Sequence, residues 1–575
     1  MMLHRFVCAA LLVALGSRSA AAETCNLYQY YLRAASPGSH CADFTAPWQT
    51  PPVPTVDEAG NATFFPRTVP LCQGGLDAEP GGTPCTLATN EVHSLDGTRA
   101  FYHVDPVKGS RKWVIFLKGG GSCGLFPGHS SASEACYDGT QATDGFDGYA
   151  TVTGDAFEMT SFHPGLGATN IRNKVVGRGP MRPDTGALFA SWNRIIIDKT
   201  TFDRFMGNRT NASVWGNDIV NTYFHGSKIV QAMLNDLNQS RGAITIDDVT
   251  LTKLSEAECV VLIGNSGGAG GVIMLAERFK GWVNAIAPDA MVQFVADSRL
   301  LPDLNSEARF ENPANSLWSN IAAGTTQIRS SVNAQSPLHD AIVAWSNDTY
   351  QNGGDTRELL RSWGDPASTA EPFLDPSCIA SHAGALWPCF SEQHVLAHHT
   401  DEDFFLHQTL GDSVHGNTPL TYYDTIDTNR ANGYNPILAD PGFRFNGEPS
   451  GFTFMNEKAN RVIYAVDELL QNRKAGVRDD TARANPANRL GVYVAYGNCH
   501  TTSLGSAWQS HFMVKNGVAV SAEDALQIWL GSTTDNAWIQ DTGPDMFNAG
   551  ATWTATYRIT DPSYRGWATT WSTCP

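Results

Sequence analysis

Short apolar runs recur along the chain, and their length and spacing set the elements to expect. Residues 100–103, 113–117, 194–197, 259–263, 282–286 and 490–495 are apolar or alternating runs, several rich in Val and Ile. Runs this short, bounded by turn-forming residues, read as strands. Between them, residues 227–237 place Ile229, Met233 and Leu237 at i, i+4 and i+8 on one helical face, and residues 269–283 are also compatible with a helix. Strands alternating with helices predict an α/β fold, a mostly parallel sheet with helices on both faces. Residues 287–451 show weak periodicity, so loop-rich insertions or a lid over the sheet are expected there.

The first residues have another character. A basic start, the apolar run from Phe6 to Gly16 and the small residues Ala20, Ala21 and Ala22 have the layout of a secretory signal peptide over 1–22, so a secreted, extracellular protein is expected. Residues 23–95 are rich in Pro, Gly, Thr and Cys and read as a disulfide-pinned N-terminal extension, leaving 96–575 as the catalytic domain. Beyond the leader, no stretch approaches the roughly 18 uninterrupted apolar residues of a membrane span.

Charge and cysteine content narrow the function classes. A net charge of −18 argues against nucleic acid, whose phosphates demand clustered Lys and Arg. Of the 12 cysteines, Cys8 lies in the leader, leaving an odd number. Close spacings suggest staples between Cys25 and Cys41, Cys72 and Cys85, Cys123 and Cys136, and Cys378 and Cys389, with Cys259, at the head of an apolar run, as the free thiol. Sequons at Asn61, Asn208, Asn211, Asn238 and Asn347 could carry glycans in a eukaryotic host. No metal or other cofactor is expected: there is no Cys-x-x-Cys, and His394-x-x-x-His398 lacks the Glu that follows the first His in zinc proteases.

The sharpest chemical signal is Gly264-Asn-Ser266-Gly-Gly268 after the run 259–263 and before a helical stretch. A nucleophile elbow requires that order, because the serine sits in a strained turn and glycines let neighbouring backbone pass closely. Gly120-Gly-Ser122-Cys-Gly124 matches the same short pattern, but the Gly and Pro residues after Ser122 do not start a helix cleanly, which favours Ser266. Lys118-Gly119-Gly120-Gly121 reads as the loop that donates a backbone N–H to the oxyanion. A serine nucleophile needs a histidine base and an orienting carboxylate. His500, after the run 490–495, is the best-placed histidine, with His394, His398, His399 and His407 as rivals; Asp401 to Asp403 lie between serine and histidine, as the chain order Ser, acid, His requires.

Several segments resemble, in order, the pectin acetylesterase family, which includes the Notum-type protein deacylases: Tyr102-His-Val-Asp, Trp113-Val-Ile-Phe-Leu-Lys-Gly-Gly-Gly, Trp192-Asn-Arg-Ile-Ile-Ile-Asp, Tyr223-Phe-His-Gly, the elbow, and Gly497-Asn-Cys-His500 with Trp508 and Trp529 downstream. The resemblance implies an α/β-hydrolase fold, a triad of Ser266, Asp401 and His500, and an oxyanion hole from Gly120, Gly121 and Gly267, with Asp403 and Asp427 as other acids. Two departures stand out: Ser122 replaces a usual Trp, which would widen the acyl entrance, and Cys499 adjoins His500. The implied protein is a monomeric serine esterase that removes acetyl groups from an acetylated polysaccharide such as pectin. A lipid-modified protein is the alternative substrate, and a glycan-binding relative without catalysis the alternative class. Since the chain is acidic, a pectin substrate would need a locally basic groove, for which Arg194, Arg204 and Lys228 are the candidates.

Overall fold

The computed structural model describes residues 23–26, 40, 55–56, 62–68, 92–95, 97, 100–119, 175, 178–201, 203–215, 218–239, 242–299, 374–381, 389, 392–409, 412, 444–445, 448–449, 466, 469, 489–495, 501–504, 507–510, 512–515, 518–532, 536–539, 542–544, 552–554 and 568–569. Its centre is a 10-stranded sheet. In chain order its strands are β1 (Thr55–Val56), β2 (Ala62–Thr68), β3 (Phe101–Asp105), β4 (Lys112–Leu117), β5 (Asn193–Ile197), β6 (Cys259–Asn265), β7 (Met291–Asp297), β8 (Phe404–Thr409), β9 (Leu490–Ala495) and β10 (Asn536–Ile539). Across the sheet they run β10-β9-β8-β7-β6-β4-β5-β3-β2-β1. From β10 to β5 every pairing is parallel, and β3, β2 and β1 close the far side antiparallel.

A parallel sheet buried on both faces needs strands without a polar side, and the sequence supplies them. In β6, Val260 and Leu262 enter one apolar cluster while Val261 and Ile263 enter the other; in β4, Trp113, Ile115 and Leu117 oppose Val114 and Phe116. The first face is covered by helices α1 (Gly226–Leu237) and α2 (Gly267–Ile286). The second is covered by helix α3 (Ala522–Leu530), with Trp508 and Trp529 fully buried against it. Helix α3 begins with Ser521 and Asp524 each capping the other's backbone N–H.

Three expectations are corrected. Residues 282–286 are the last turn of α2, where Phe279 and Val283 continue the buried helical face, and the next strand begins only at Met291. The stretch read as insertion, 287–451, contributes two central strands, β7 and β8. The stretch read as a separate extension, 23–95, contributes β1 and β2 to the sheet's edge, with Phe65 opposite Val104. Cys378 and Cys389 form the expected disulfide, and Cys259 is a buried free thiol whose pKa burial pushes up to about 12. The other proposed pairings, the leader and the sequons at Asn61 and Asn347 lie outside the described residues. Among the described residues, no helix is long and apolar enough to cross a membrane.

Candidate active site

In an open parallel sheet, ligands bind beyond the C-terminal strand ends where the strand order reverses. Here β4 lies between β5 and β6, so the loop after β4 and the turn after β6 meet at such a crevice. Ser266 occupies that turn, between β6 and α2, with φ 49° and ψ −122°. A non-glycine residue in this conformation is strained and persists only where its surroundings fix it. Its N–H donates to Asp297 O at 2.9 Å, and its carbonyl accepts from Gly270 N–H at 3.1 Å.

The glycines around Ser266 follow from crowding. A Cβ on Gly264 would lie 2.5 Å from the backbone of Gly268, one on Gly268 2.1 Å from Leu117 O, and one on Gly119 1.9 Å from Asn265 O. The elbow and the β4 loop therefore lock together through bare backbone. Asn265 secures the contact by accepting the Gly119 N–H on Oδ1 at 2.8 Å. That N–H is thus committed, whereas Gly267, at the first position of α2 beside Ser266, has an N–H for which the helix itself supplies no acceptor. Gly120, Gly121 and Ser122 lie outside the described residues. Beneath the loop, Lys118 and Asp198 form a fully buried ion pair at 3.6 Å.

Asp297, the last residue of β7 and the register partner of Asn265, is the hub of this edge. Its Oδ1 faces His407 Nδ1 at 2.7 Å and accepts from Ser298 Oγ at 2.8 Å; its Oδ2 accepts Ser503 N–H at 2.8 Å and the Ser503 hydroxyl. Thr501 N–H donates to Ser298 Oγ at 3.0 Å. Burial pushes the Asp297 carboxyl up, but His407 and the Ser503 donors outweigh it and hold it below the usual carboxylate range. His407 itself is enclosed, stacked on Tyr493 and against Trp508. His500 lies outside the described residues, but both flanks of its loop stand at this edge: β9 ends at Ala495, and 501–503 are tied to Asp297 and Ser298.

The expected acid is not brought here. Asp401 precedes β8, at the sheet's N-terminal edge, whereas Ser266 follows β6 at the C-terminal edge. The six residues of β8 separate the two edges by about 20 Å at about 3.3 Å per residue. Its neighbours belong to the scaffold: Asp403 pairs with Arg489 and Glu402 with Lys280 of α2. Asp427 lies outside the described residues. The carboxylate at the other end of β8 is Asp412, fully buried, its Oδ2 accepting from Gln408 Nε2 at 3.1 Å. The sequence reading missed it because nothing marked 404–409 as a strand.

Two cations expected to line a groove are already engaged. Arg194 lies at the N-terminal end of β5, buried and bonded to Asp105. Arg204, partly exposed, joins the buried Arg299 on the buried Glu392, and this trio braces the first turn of α2, with Glu392 Oε1 at 3.0 Å from a Cβ on Gly270.

Sheet order and elbow together give an α/β-hydrolase-like fold, and the chain is similar to Notum-type deacylases. Over 222 residues it is 24% identical to palmitoleoyl-protein carboxylesterase notum2 of Xenopus laevis, a match covering 37% of this chain and 35% of that protein. The match thus spans about a third of the curated relative's length. Among solved structures, the Wnt deacylase Notum from Drosophila aligns in two crystal forms at 14% and 15% identity with a TM-score of 0.45, covering 82% and 81% of this chain and 96% and 94% of those chains. No protein-family model matches the chain.

Proposed function

We propose that the protein is a secreted serine carboxylesterase that works through an acyl-enzyme. The observation that carries this reading is the strained Ser266 between β6 and α2, locked to the β4 loop at the point where strand order reverses. Ser266 Oγ attacks the acyl carbon while His500 takes its proton. The N–H groups of Gly267, Gly120 and Gly121 hold the oxyanion, and His500 returns the proton to the departing alcohol. Water, activated by the same histidine, then releases the acid.

Asp412 is the acid in this reading, replacing Asp401. It lies three residues past the end of β8, its N–H on Thr409 O, and β8 lies beside β9, the strand that leads to His500. Asp297 is closer in the chain to the elbow, but both of its oxygens are occupied by His407, Ser298 and Ser503. Its role is to hold the loop after His500 against the elbow.

For substrate, an O-acetyl ester on a neutral or weakly charged polysaccharide is the first reading. Bare polygalacturonate fits less well, since the chain carries −18 and Arg194 and Arg204 are engaged by carboxylates. A fatty acyl group on protein is the second reading, favoured by the similarity to a palmitoleoyl-protein carboxylesterase. Hydrolysis of p-nitrophenyl acetate, butyrate and palmitate by the wild type and Ser266→Ala tests both. Short-chain activity lost in the variant is the expected result. A palmitate preference selects the second reading, and activity that survives in Ser266→Ala overturns the assignment of the nucleophile.

A further inference from the structure

A second cluster of reactive side chains lies outside the esterase machinery, on the helical segment before β8. His394 and His399 are buried, and their Nε2 atoms stand 3.2 Å apart. In a regular α-helix, side chains five residues apart diverge by about 140° at about 3.6 residues per turn. Residues Val395–His399 instead form a π-helical turn, closed by Thr400 N–H donating to Val395 O at 2.9 Å, and the wider turn brings His394 and His399 together. Such turns are rare and recur at functional sites. Cys378 Sγ completes the group, all three donor atoms lying within 4.8 Å of one another.

The spacing matches metal chemistry. Two imidazole nitrogens at about 2.0–2.1 Å from a tetrahedral zinc stand about 3.3 Å apart. A hydroxyl also stands behind one ring. Ser377 Oγ, within 2.7 Å of Asp375 Oδ1 and 3.3 Å of His399 O, lies 3.3 Å from His399 Nδ1; in the tautomer that donates Nδ1–H to this hydroxyl, the Nε2 lone pair of His399 faces His394. A hydroxyl or carboxylate behind a ligating histidine is the usual outer support of a metal site.

Charge decides when the site can fill. Cys378 is bonded to Cys389, and a disulfide sulfur is not an anionic ligand. A dication among buried neutral imidazoles would lack compensation, and the nearby carboxylates are committed, Glu392 to Arg299 and Arg204 and Asp375 to Ser377 and the Cys378 N–H. Opening the disulfide supplies two thiolates that cancel the ion's charge. We propose that Cys378, Cys389, His394 and His399 form a redox-gated transition-metal site, closed as a disulfide and able, once reduced, to hold one zinc-class ion through two sulfurs and two Nε2 atoms. The exchange needs a two-electron reductant of the phosphine or dithiol class. A phosphine gives two thiols and, with water, its oxide; the metal ion then displaces the two thiol protons.

The test uses the full chain, oxidised or reduced with a phosphine under anaerobic conditions, titrated with Co²⁺ as a spectroscopic stand-in for Zn²⁺. The reduced wild type is expected to bind one equivalent with tetrahedral d–d bands and a thiolate charge-transfer band, and the oxidised protein to show neither. His394→Ala and His399→Ala should each weaken binding at least about 100-fold, and Ser377→Ala about tenfold. Equal binding by the histidine variants, or by the oxidised protein, overturns the proposal. If the reduced, metal-free chain loses tertiary structure, Zn²⁺ must restore near-UV circular dichroism in the wild type and not in the histidine variants; failure to do so also overturns it. None of these readouts depends on esterase activity.

Discussion

The two ends of β8 carry carboxylates of the same kind put to opposite uses. At its N-terminal end, Glu402 and Asp403 each face a basic side chain, Lys280 and Arg489, and tie α2 and the start of β9 to the sheet. At its C-terminal end, Asp412 is buried among the strand exits, and one strand over Asp297 gathers the elbow, His407 and the loop after His500. Chain order between Ser266 and His500, together with the family resemblance, drew attention to the first group. Position relative to the strand direction selects the second. In a parallel sheet, which edge a residue occupies matters more to catalysis than which strand it adjoins.

The strongest way to break this comparison is to neutralise one carboxylate at each end. Asp412→Asn is expected to lower kcat for p-nitrophenyl acetate about 10⁴-fold, the scale set by removing the orienting acid from a serine triad, whereas Asp401→Asn should stay within about twofold. The reverse ranking would return the acid to the N-terminal edge. Asp297→Asn should act first on stability: it removes the buried carboxylate on which His407, Ser298 and Ser503 converge, at a cost of about 1–3 kcal/mol. Chemical denaturation with urea measures that loss, and a change below about 1 kcal/mol would remove Asp297 from its place as hub.

The sequence made the centre of the sheet legible and hid its second half for a physical reason. Strands β4, β6 and β9 are nearly pure apolar runs because both faces are covered, so they stand out, and the Ser266 elbow stands out with them. Strand β7 carries Gln293, wholly buried, and an exposed Met291; β8 carries His407 and Gln408, also buried. These buried polar residues broke the apolar pattern and made both strands look like loop. Without the bounds of β8, Asp401 and Asp412 could not be assigned to opposite edges, so the misplaced acid follows directly from the missed strand. The close approach of Gly119 to Asn265 is likewise invisible in one dimension, since it joins residues from two loops.

Two buried carboxylates, Asp203 after β5 and Asp297 at the end of β7, sharpen the comparison through pH. Asp297 is held below the ordinary range, so its stabilising contribution is present above about pH 4, its unfolded value, and disappears as pH falls through the lower folded value. Asp203 accepts from uncharged donors, Thr201 Oγ1 and the N–H groups of Phe205 and Gly226 among them, and burial pushes its pKa up to about 6. The folded state therefore binds the Asp203 proton more tightly than the unfolded chain, and this group withdraws stability as pH rises from about 4 to about 6. Melting curves of Asp203→Asn against the wild type should show that slope removed in the variant, while Asp297→Asn should remove the loss on the acid side. A variant pair with the same pH profile would contradict the two environments.

The smallest expected effect lies at the N-terminal end of β8. Asp403 accepts from Arg489 Nε at 2.9 Å and from its backbone N–H at 2.7 Å, and the arginine also lies over the Trp529 ring. The pair is partly exposed, with 21% and 11% of the two side chains accessible, so water screens much of its attraction. Asp403→Asn keeps an acceptor for the backbone N–H and leaves Arg489 its contacts with Trp529 O and the ring. The expected cost is therefore at most about 1 kcal/mol in urea denaturation, diminishing with added salt, with kcat unchanged. A large loss of kcat without a loss of stability would mean that the N-terminal edge communicates with Ser266 through β8.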